Sequence, residues 1–225
     1  MSKRKTFVIL GLGVFGSTIA KKLSSYNHEV IAIDKDMDCV ERVSEYVTEA
    51  IKADFTDIEQ LKAIGVSDCD AAVVATGSHL EESILAIMNL KELNVPYIIA
   101  KAKNKKYLEV LSKLGADRVV RPEKEMGERI AKKLVSNSII DLVDLDSYYS
   151  MVEIAAPDKW VGKTLIELDL RNKYNINVVG IRDQQDKLHP SPNPNQAIKK
   201  DDILLFIADN EMFTKIDDII QQKEK

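Results

Sequence analysis

The sequence predicts an α/β fold in which a doubly wound parallel sheet precedes a small α+β domain. Residues 1–121 alternate short apolar runs with amphipathic segments of helical spacing. The apolar runs are nearly continuous, which is typical of strands that helices cover on both faces of a sheet. After residue 140 the pattern changes to a shorter mixture of strand and helix signals, and no βαβ series is repeated. The chain therefore divides into two domains of different class.

Six parallel strands are predicted in the N-terminal part, each an apolar run between turn signals. They cover residues 6–10, 30–33, 48–53, 71–75, 97–100 and 118–120. Helices are predicted between them from apolar residues at helical spacing, which are Phe15, Ile19, Leu23 and Tyr26 in the first helix and Leu80, Ile84, Ile87 and Met88 in a later one. Six such units form a doubly wound domain of ordinary size.

The C-terminal part begins with a helix predicted over residues 125–140, with an apolar side formed by Met126, Ile130, Leu134 and Val135. This helix is either an ordinary core helix or an element that carries conformational change between domains and subunits. The elements predicted after it are a polar segment at 141–147, a strand at 148–156, a short helix near 163–168, a strand at 176–182, a Pro-rich loop at 189–194, a strand at 203–208 and a closing helix with Asp209 as N-cap and Met212, Ile216 and Ile219 on one face. We place the domains at 1–122 and 141–225, joined by a connecting helix at 123–140.

Composition and charge exclude several classes of protein. The chain has 225 residues, 45% of them hydrophobic, which excludes global disorder. No run approaches the roughly 18 apolar residues of a membrane span, and the basic residues 1–6 do not introduce a signal peptide. The net charge of −4 argues against nucleic acid as a partner. Cys39 and Cys69 lack the spacing of a zinc site and are interpreted as reduced thiols, so we expect a cytoplasmic protein.

The strongest local signal is a glycine motif, Gly11-Leu12-Gly13-Val14-Phe15-Gly16. It follows a predicted strand and opens a predicted helix, which is the context that makes a GxGxxG motif informative. In a Rossmann-type domain the first glycine permits a tight turn, the second lets a phosphate approach the backbone, and the third lets helix and strand pack closely. The amino end of the helix then attracts the phosphate.

An acid, Asp34, stands at the end of the second predicted strand. A carboxylate there accepts hydrogen bonds from ribose hydroxyls and repels a 2′-phosphate, an exclusion that Lys35 weakens slightly. We therefore expect an adenosine nucleotide with a free ribose as the ligand. The alternative is a Rossmann scaffold whose site is empty.

Further candidate binding residues follow the other strands, because ligands of such sheets lie beyond the carboxyl ends of the strands. Asp54 either accepts from the adenine amino group or caps a helix, and Thr76 and Gly77 face the phosphates or the second ribose unless they too only cap a helix. The full set predicted to bind the nucleotide is Gly11, Leu12, Gly13, Val14, Phe15, Gly16, Asp34, Lys35, Asp54, Phe55, Ala75, Thr76, Gly77 and Lys101.

Machinery for catalysis is not visible in the sequence. Tyr97 and Lys101 have the Tyr-xxx-Lys spacing of short-chain reductases but fall on a predicted strand, where the geometry differs from that of a helix. The histidines His28, His79 and His189 have no companion acid at diagnostic spacing. These features favour a nucleotide sensor over an enzyme. The alternatives are an NAD-dependent oxidoreductase or an orphan dinucleotide-binding domain, and a nucleotide-sensing transcription factor, for which no DNA-binding unit is visible.

Six segments resemble, in this order, the RCK domain, also called KTN, the cytosolic regulatory domain of bacterial potassium uptake systems of the Ktr and Trk type. They are VILGLGVFG at 8–16, ADFT at 53–56, VVATG at 73–77, IAKA at 99–102, LGADRVV at 114–120 and PEKEMG at 122–127. The segment LDLRNKYNINV at 168–178 resembles the start of the RCK C-terminal subdomain. The resemblance covers nearly the whole chain.

The resemblance implies a non-enzymatic gating subunit that forms dimers and an octameric ring on a separate membrane channel or transporter. It implies that ATP, ADP or NAD(H) binds the N-terminal domain, with the three glycines of the motif on the phosphates and Asp34 on the ribose. Glu123 corresponds to the acid that helps to bind a cation beside the phosphates of a neighbouring subunit. Many Ktr subunits carry an arginine where this chain has Val14, and a valine cannot reach a γ-phosphate.

The resemblance also implies that the C-terminal domain binds cyclic di-AMP across a dimer interface. A two-fold symmetric ligand suits an interface in which one patch is used twice. Arg171 would pair with a phosphate unless it forms a surface salt bridge with Asp169 or Glu167. Pro192 either packs on adenine or only stiffens its loop. The set expected to bind this ligand is Leu165, Arg171, Asn177, Val178 and Pro192.

Overall fold

The computed structural model describes residues 4–77, 79–135, 138–209, 216 and 219, and the chain forms two compact units, Met1–Pro122 and Glu123–Lys225. The first unit alternates strands and helices in the order β1 (Thr6–Leu10), α1 (Val14–Ser25), β2 (Glu29–Asp34), α2 (Met37–Ser44), β3 (Glu49–Lys52), α3 (Ile58–Ile64), β4 (Ala71–Val74), α4 (Leu80–Glu92), β5 (Ile98–Lys101), α5 (Lys105–Lys113) and β6 (Arg118–Val120).

The six strands of the first unit form one parallel sheet in the order β3-β2-β1-β4-β5-β6. Side chains alternate between its faces, so Val8 and Leu10 pack with α3, α4 and α5, while Ile9 packs with α1 and α2. Helices cover both faces, which confirms the predicted doubly wound fold. The order reverses between β1 and β4, so the carboxyl ends of these two strands mark the crevice where ligands of such sheets bind.

The second unit is built on an antiparallel sheet. It contains α6 (Pro122–Val135), β7 (Ile139–Asp144), β8 (Tyr149–Ala155), α7 (Leu165–Leu168), α8 (Leu170–Tyr174), β9 (Asn177–Arg182), β10 (Leu188–Pro190) and β11 (Ile203–Asp209). The strand order is β10-β9-β11-β8-β7. Trp160, Ile154 and Phe206 are buried in a core that is separate from those of the first unit.

The connecting helix is shorter than the sequence predicted. It ends at Val135, and Ile139–Asp144 forms a strand paired with β8, where a helix end and a polar segment were predicted. Ile139 and Leu142 are buried against the second core, and this packing outweighs helical spacing over a few residues. Asp146 builds the following turn, because its carboxylate accepts hydrogen bonds from the backbone of Tyr148 and Tyr149.

The predicted closing helix lies mostly outside the described residues, as do Met212 and the side chain of Val135. Ile216 and Ile219 are described and belong to the second core, and Asp209 is the last residue of β11. Within the described parts of the chain, no helix combines the length and apolar character needed to cross a bilayer.

The two cysteines are free thiols. Cys69 is buried in the first unit, and this burial raises the pKa of its thiol to about 11. Cys39 is half-buried beside Asp36 and Arg42. A thiol whose pKa is raised holds little thiolate at neutral pH, so Cys69 is a structural and unreactive residue.

Candidate functional site

The loop between β1 and α1 needs glycine at its first and last motif positions. Gly11 has a φ of +93°, in the left-handed region that favours glycine, and a Cβ there would lie 3.1 Å from the backbone nitrogen of Thr76. A Cβ on Gly16 would lie 1.9 Å from the carbonyl oxygen of Gly11, which no arrangement tolerates. Gly11 therefore lies close to the backbone of Thr76, after β4, and the first turn of α1 lies close to Gly11.

The middle glycine of the motif faces open space. A Cβ on Gly13 would meet no atom within 4 Å, and Gly13 is the N-cap of the 12-residue helix α1 without a side-chain hydrogen bond at the cap. No acidic residue lies in the first turn of α1, and Val14 is 88% exposed. An open, uncapped helix start of this kind suits a phosphate.

Asp34 at the end of β2 is fixed by backbone donors. Its Oδ2 accepts a hydrogen bond of 2.6 Å from the N–H of Leu12, and its Oδ1 accepts one of 2.9 Å from the N–H of Asp36. The carboxylate therefore joins β2 to the glycine loop. Each carboxylate oxygen accepts more than one hydrogen bond, so ribose hydroxyls can still donate to it.

The loop after β4 and the end of β5 bring further predicted residues to the same edge. Gly77 lies under the side chain of Lys101, whose methylene carbons a Cβ on Gly77 would approach to 3.1 Å. The Nζ of Lys101 lies 5.8 Å from the ring centroid of Phe15 in α1. Ala75 is bonded through its N–H to the carbonyl of Leu10. The lysine thus reaches from β5 towards the helix that follows the glycine loop.

The acidic side chains of the segment after β3 form hydrogen bonds mainly within that segment. The Oδ1 of Asp54 accepts from both the N–H and the hydroxyl of Thr56, and these bonds lower the pKa of the Asp54 carboxyl. Asp57 caps α3 by accepting from the N–H of Glu59. The Phe55 side chain is buried in the core, so only its backbone can meet a ligand.

Glu82, in the first turn of α4, is a residue that the sequence analysis missed. Its Oε1 lies 2.5 Å from the Nζ of Lys35, and its Oε2 lies 3.4 Å from the hydroxyl of Thr76 and 3.6 Å from Nδ1 of His79. The bond to Glu82 raises the pKa of Lys35. Lys35 and Glu82 are 47 positions apart, so no local spacing could have paired them. His79 does have an acidic neighbour, in contrast to the sequence-based expectation.

Tyr97 and Lys101, which have the sequence spacing of a reductase pair, lie far apart in the structure. Lys101 is the last residue of β5, whereas Tyr97 precedes the strand and accepts a hydrogen bond from the N–H of Ala72. Four residues of extended strand span about 13 Å. The two side chains therefore do not form the acid–base pair that a reductase places on one face of a helix.

The residues expected to bind cyclic di-AMP surround the turn from α7 to β9. The N–H of Ile166 donates to the carbonyl of Pro194, which brings α7 beside the proline loop, and the N–H of Ser191 donates to Val179, which brings that loop beside β9. Leu165, Val178 and Pro192 are half-buried in this region, while Arg171 and Asn177 are exposed, as the burial pattern shows.

Both acids that were alternatives for Arg171 have other partners. Glu167 forms a capping box with Thr164, and Asp169 accepts a hydrogen bond from Asn172. No ion pair of Arg171 occurs among the described residues. Its guanidinium is therefore available to an anion.

Pro192 lines a surface pocket of about 430 Å³. His189 and Asp183 stand in its wall, with Nε2 of the histidine 2.7 Å from Oδ2 of the acid, and this contact lowers the pKa of Asp183. Asn193 and Lys199 also line the pocket. The acid beside His189 is a second neighbour that the sequence analysis did not identify.

Basic residues of helix α6 form ion pairs with strand β7. Arg129 donates to both carboxylate oxygens of Asp141 at 2.7 Å, and Lys133 adds a contact of 2.9 Å, so the pKa of Asp141 is held well below its usual range. An adjoining face of the helix is an apolar stripe, half or more exposed, formed by Met126, Ile130 and Leu134. Among the described residues, the stripe is not part of a buried core.

Glu123, the predicted cation ligand, is exposed in the first turn of α6. Across the described residues, no group of three or more histidine, cysteine, aspartate or glutamate side chains is arranged to hold a metal ion. A cation at Glu123 would therefore need further ligands from a nucleotide or from a second subunit.

Two family models match the chain, the TrkA-N domain over residues 7–122 and the TrkA-C domain over residues 149–221. The chain is 41% identical to Ktr system potassium uptake protein C of Bacillus subtilis, covering 91% of this chain and 92% of the relative. It is 36% identical to Ktr system potassium uptake protein A of the same organism, with 92% of both covered. The fold is similar to the crystal structure of the GsuK RCK domain, with a TM-score of 0.66 and 19% identity over all of this chain and 49% of the other, so this chain spans about half of that longer one.

Proposed function

The chain belongs to the TrkA family, the proteins that combine a TrkA-N with a TrkA-C domain, and from this premise we propose that it is the cytosolic regulatory subunit of a Ktr-type potassium uptake system. The observation that carries the proposal is the 41% identity to a Ktr potassium uptake protein over nine-tenths of both chains. Both domains are matched, so the likeness is not limited to a nucleotide-binding scaffold. We propose that the protein regulates transport without catalysing a reaction.

The ligand proposed for the first unit is an adenine nucleotide. Support comes from the open start of α1 at Gly13, which suits phosphate, and from Asp34, which has acceptor capacity left for a ribose. Val14 offers no charged group to a third phosphate, so ADP and NAD(H) are as suitable as ATP. GsuK, which shares the fold, is described as bound to NAD in one structure and to ADP in another.

The second ligand proposed is cyclic di-AMP, bound where two C-terminal units meet. Arg171 is free for a phosphate, and Leu165, Val178 and Pro192 supply half-buried apolar surface for adenine, with Asn177 exposed beside them. The apolar stripe of α6 is proposed as a further contact with a second copy of the chain, since an uncovered row of Met126, Ile130 and Leu134 favours burial.

Regulation is proposed to act through a membrane partner, a separate potassium channel or transporter subunit, beneath which dimers of this chain form an octameric ring. A ligand shifts such an assembly only by its different affinity for two states. A nucleotide with a cation at Glu123 of a neighbouring subunit would change the angle between subunits. The protein would then lie in the cytoplasm, peripheral to the membrane.

The test of this function is potassium-limited growth of cells that lack other potassium uptake. Deletion of the gene is expected to impair growth at low potassium, and Glu123→Gln to reproduce part of the defect. Glu125→Gln, in the same turn of α6 and also exposed, is the matched control and is expected to grow normally. Unchanged potassium flux in the deletion strain, with the reduction of a metabolite lost instead, would favour an oxidoreductase.

Replacing Arg171 with alanine is expected to weaken cyclic di-AMP binding more than tenfold. Loss of a charged donor from a desolvated phosphate contact costs on the order of 2–5 kcal/mol. Titration calorimetry measures the affinity and the stoichiometry, which is expected to be one ligand per two chains. Lys173→Ala removes an equal charge from the same helix and is expected to bind normally. One ligand per chain, or normal binding by Arg171→Ala, would contradict the shared site.

A further inference from the structure

Lys35 follows directly on the carboxylate that is proposed to hold the ribose, and its charge is already paired. Its Nζ lies 2.5 Å from Oε1 of Glu82, on the far side of the crevice at the start of α4. Glu82 is itself held in place, because its second oxygen contacts Thr76 and His79 of the loop after β4. The glutamate side chain is 23% exposed and the lysine 61%, so the more buried partner determines where the lysine points.

A basic side chain at this place in a Rossmann-type site normally binds a 2′-phosphate. Rossmann-type sites that accept a 2′-phosphate place a cation near the end of the second strand, whereas sites for a free ribose place an acid there. This chain has both, Asp34 and then Lys35. Left free, the ammonium of Lys35 would offset the repulsion between Asp34 and a 2′-phosphate.

The surroundings of Lys35 are acidic on each side. Glu82 bonds it directly, and the charges of Asp54 and Asp34 also act on it, which together raise its pKa. These four groups together are one cation and three carboxylates, so their summed charge is negative. A doubly charged 2′-phosphate would enter an unfavourable field there, while a 2′-hydroxyl would not.

We propose that Glu82 is a specificity-determining residue of the nucleotide site, because its ion pair withholds Lys35 from a 2′-phosphate and so restricts the site to nucleotides with a free 2′-hydroxyl. This inference rests on the adenine-nucleotide site proposed for the first unit. It means that a residue of α4 helps to determine which 2′ substituent the site accepts, although α4 follows β4 and the ribose is proposed to lie at β2.

The experiment compares AMP with adenosine 2′,5′-bisphosphate, which differ only at the 2′ position, by titration calorimetry at low ionic strength, where exposed charges are least screened. The wild type is expected to prefer AMP. Glu82→Gln is expected to reduce that preference about fivefold, the upper end of the effect of one exposed ion pair. Glu81→Gln removes the same charge from the adjacent, exposed position of α4 and is expected to change the preference less than twofold.

A double variant tests the role of Lys35, and ADP binding tests the nucleotide site separately from the role of Glu82. Lys35→Met combined with Glu82→Gln is expected to restore the wild-type preference, because the released cation is then gone. ADP binding, measured on every variant, checks the site itself. If ADP binds but Glu82→Gln matches the wild type or Glu81→Gln, the role of Glu82 is overturned and the nucleotide site stands. If the wild type binds none of these nucleotides, the proposed site falls and the inference with it.

Discussion

Replacing Gly16 with alanine is expected to destabilise the first unit by about 3 kcal/mol or more, the upper end of the cost of overpacking. The added methyl group would lie 1.9 Å from the carbonyl oxygen of Gly11, a backbone atom that cannot rotate away. Relief requires α1 to move from β1, and this also disturbs Ala75, whose Cβ lies 3.0 Å from the same position. A fall of at least about 10 °C in the melting temperature of this unit corresponds to that loss.

The control for this experiment is the same chemical change three residues earlier. Gly13→Ala adds a methyl group that meets nothing within 4 Å, at a φ of −61° that alanine adopts without strain. Its melting temperature is expected to stay within about 3 °C of the wild type, because the weaker N-cap that alanine makes and the lower entropy of the unfolded variant oppose each other. Thermal unfolding followed by circular dichroism distinguishes the two variants. Equal stability of Gly16→Ala and Gly13→Ala would show that the loop is not packed as described.

The parallel sheet was predictable from the sequence because each of its strands is a local signal. Strands β1 and β6 have the predicted bounds. The apolar run of β1 is buried on both faces, so burial and local pattern agree there, whereas β6 lies at the edge of the sheet and is only partly buried. Strand β7 was missed because Ile139, Leu142 and the polar residues around them fit the end of a helix as well as a strand. Only pairing with β8 decides between these structures, and a register between two strands is not visible in one of them.

In the candidate site, too, only the features that local sequence signals indicate were predictable. The motif glycines and Asp34 follow from the context of strand, turn and helix, which is local. The pairs Lys35–Glu82 and His189–Asp183 were not predicted, although each joins residues of opposite charge or complementary chemistry. In the first pair the partners belong to different strand–helix units, and the sheet order alone brings them together.

Replacing Gly13 with valine is expected to weaken adenine-nucleotide binding at least a hundredfold, about 2.8 kcal/mol, while leaving the fold intact. A Cβ at Gly13 meets no atom within 4 Å in the free chain, so a valine side chain there begins in open space. That empty space lies at the N-cap of α1, where a phosphate must approach the backbone. The side chain would therefore occupy the space that the phosphate needs.

Asp34→Ala is a less informative test of the same site, because the carboxylate also accepts the hydrogen bonds of Leu12 and Asp36, and its loss would loosen the glycine loop. Gly13→Val avoids this ambiguity. Its control is Thr18→Val, which places the same side chain on an exposed position one turn later in α1. Thermal shift with ATP, ADP, AMP, NAD and NADH measures the effect, since a ligand of the folded state raises the melting temperature with concentration. Equal shifts in Gly13→Val and Thr18→Val would place the nucleotide away from the start of α1.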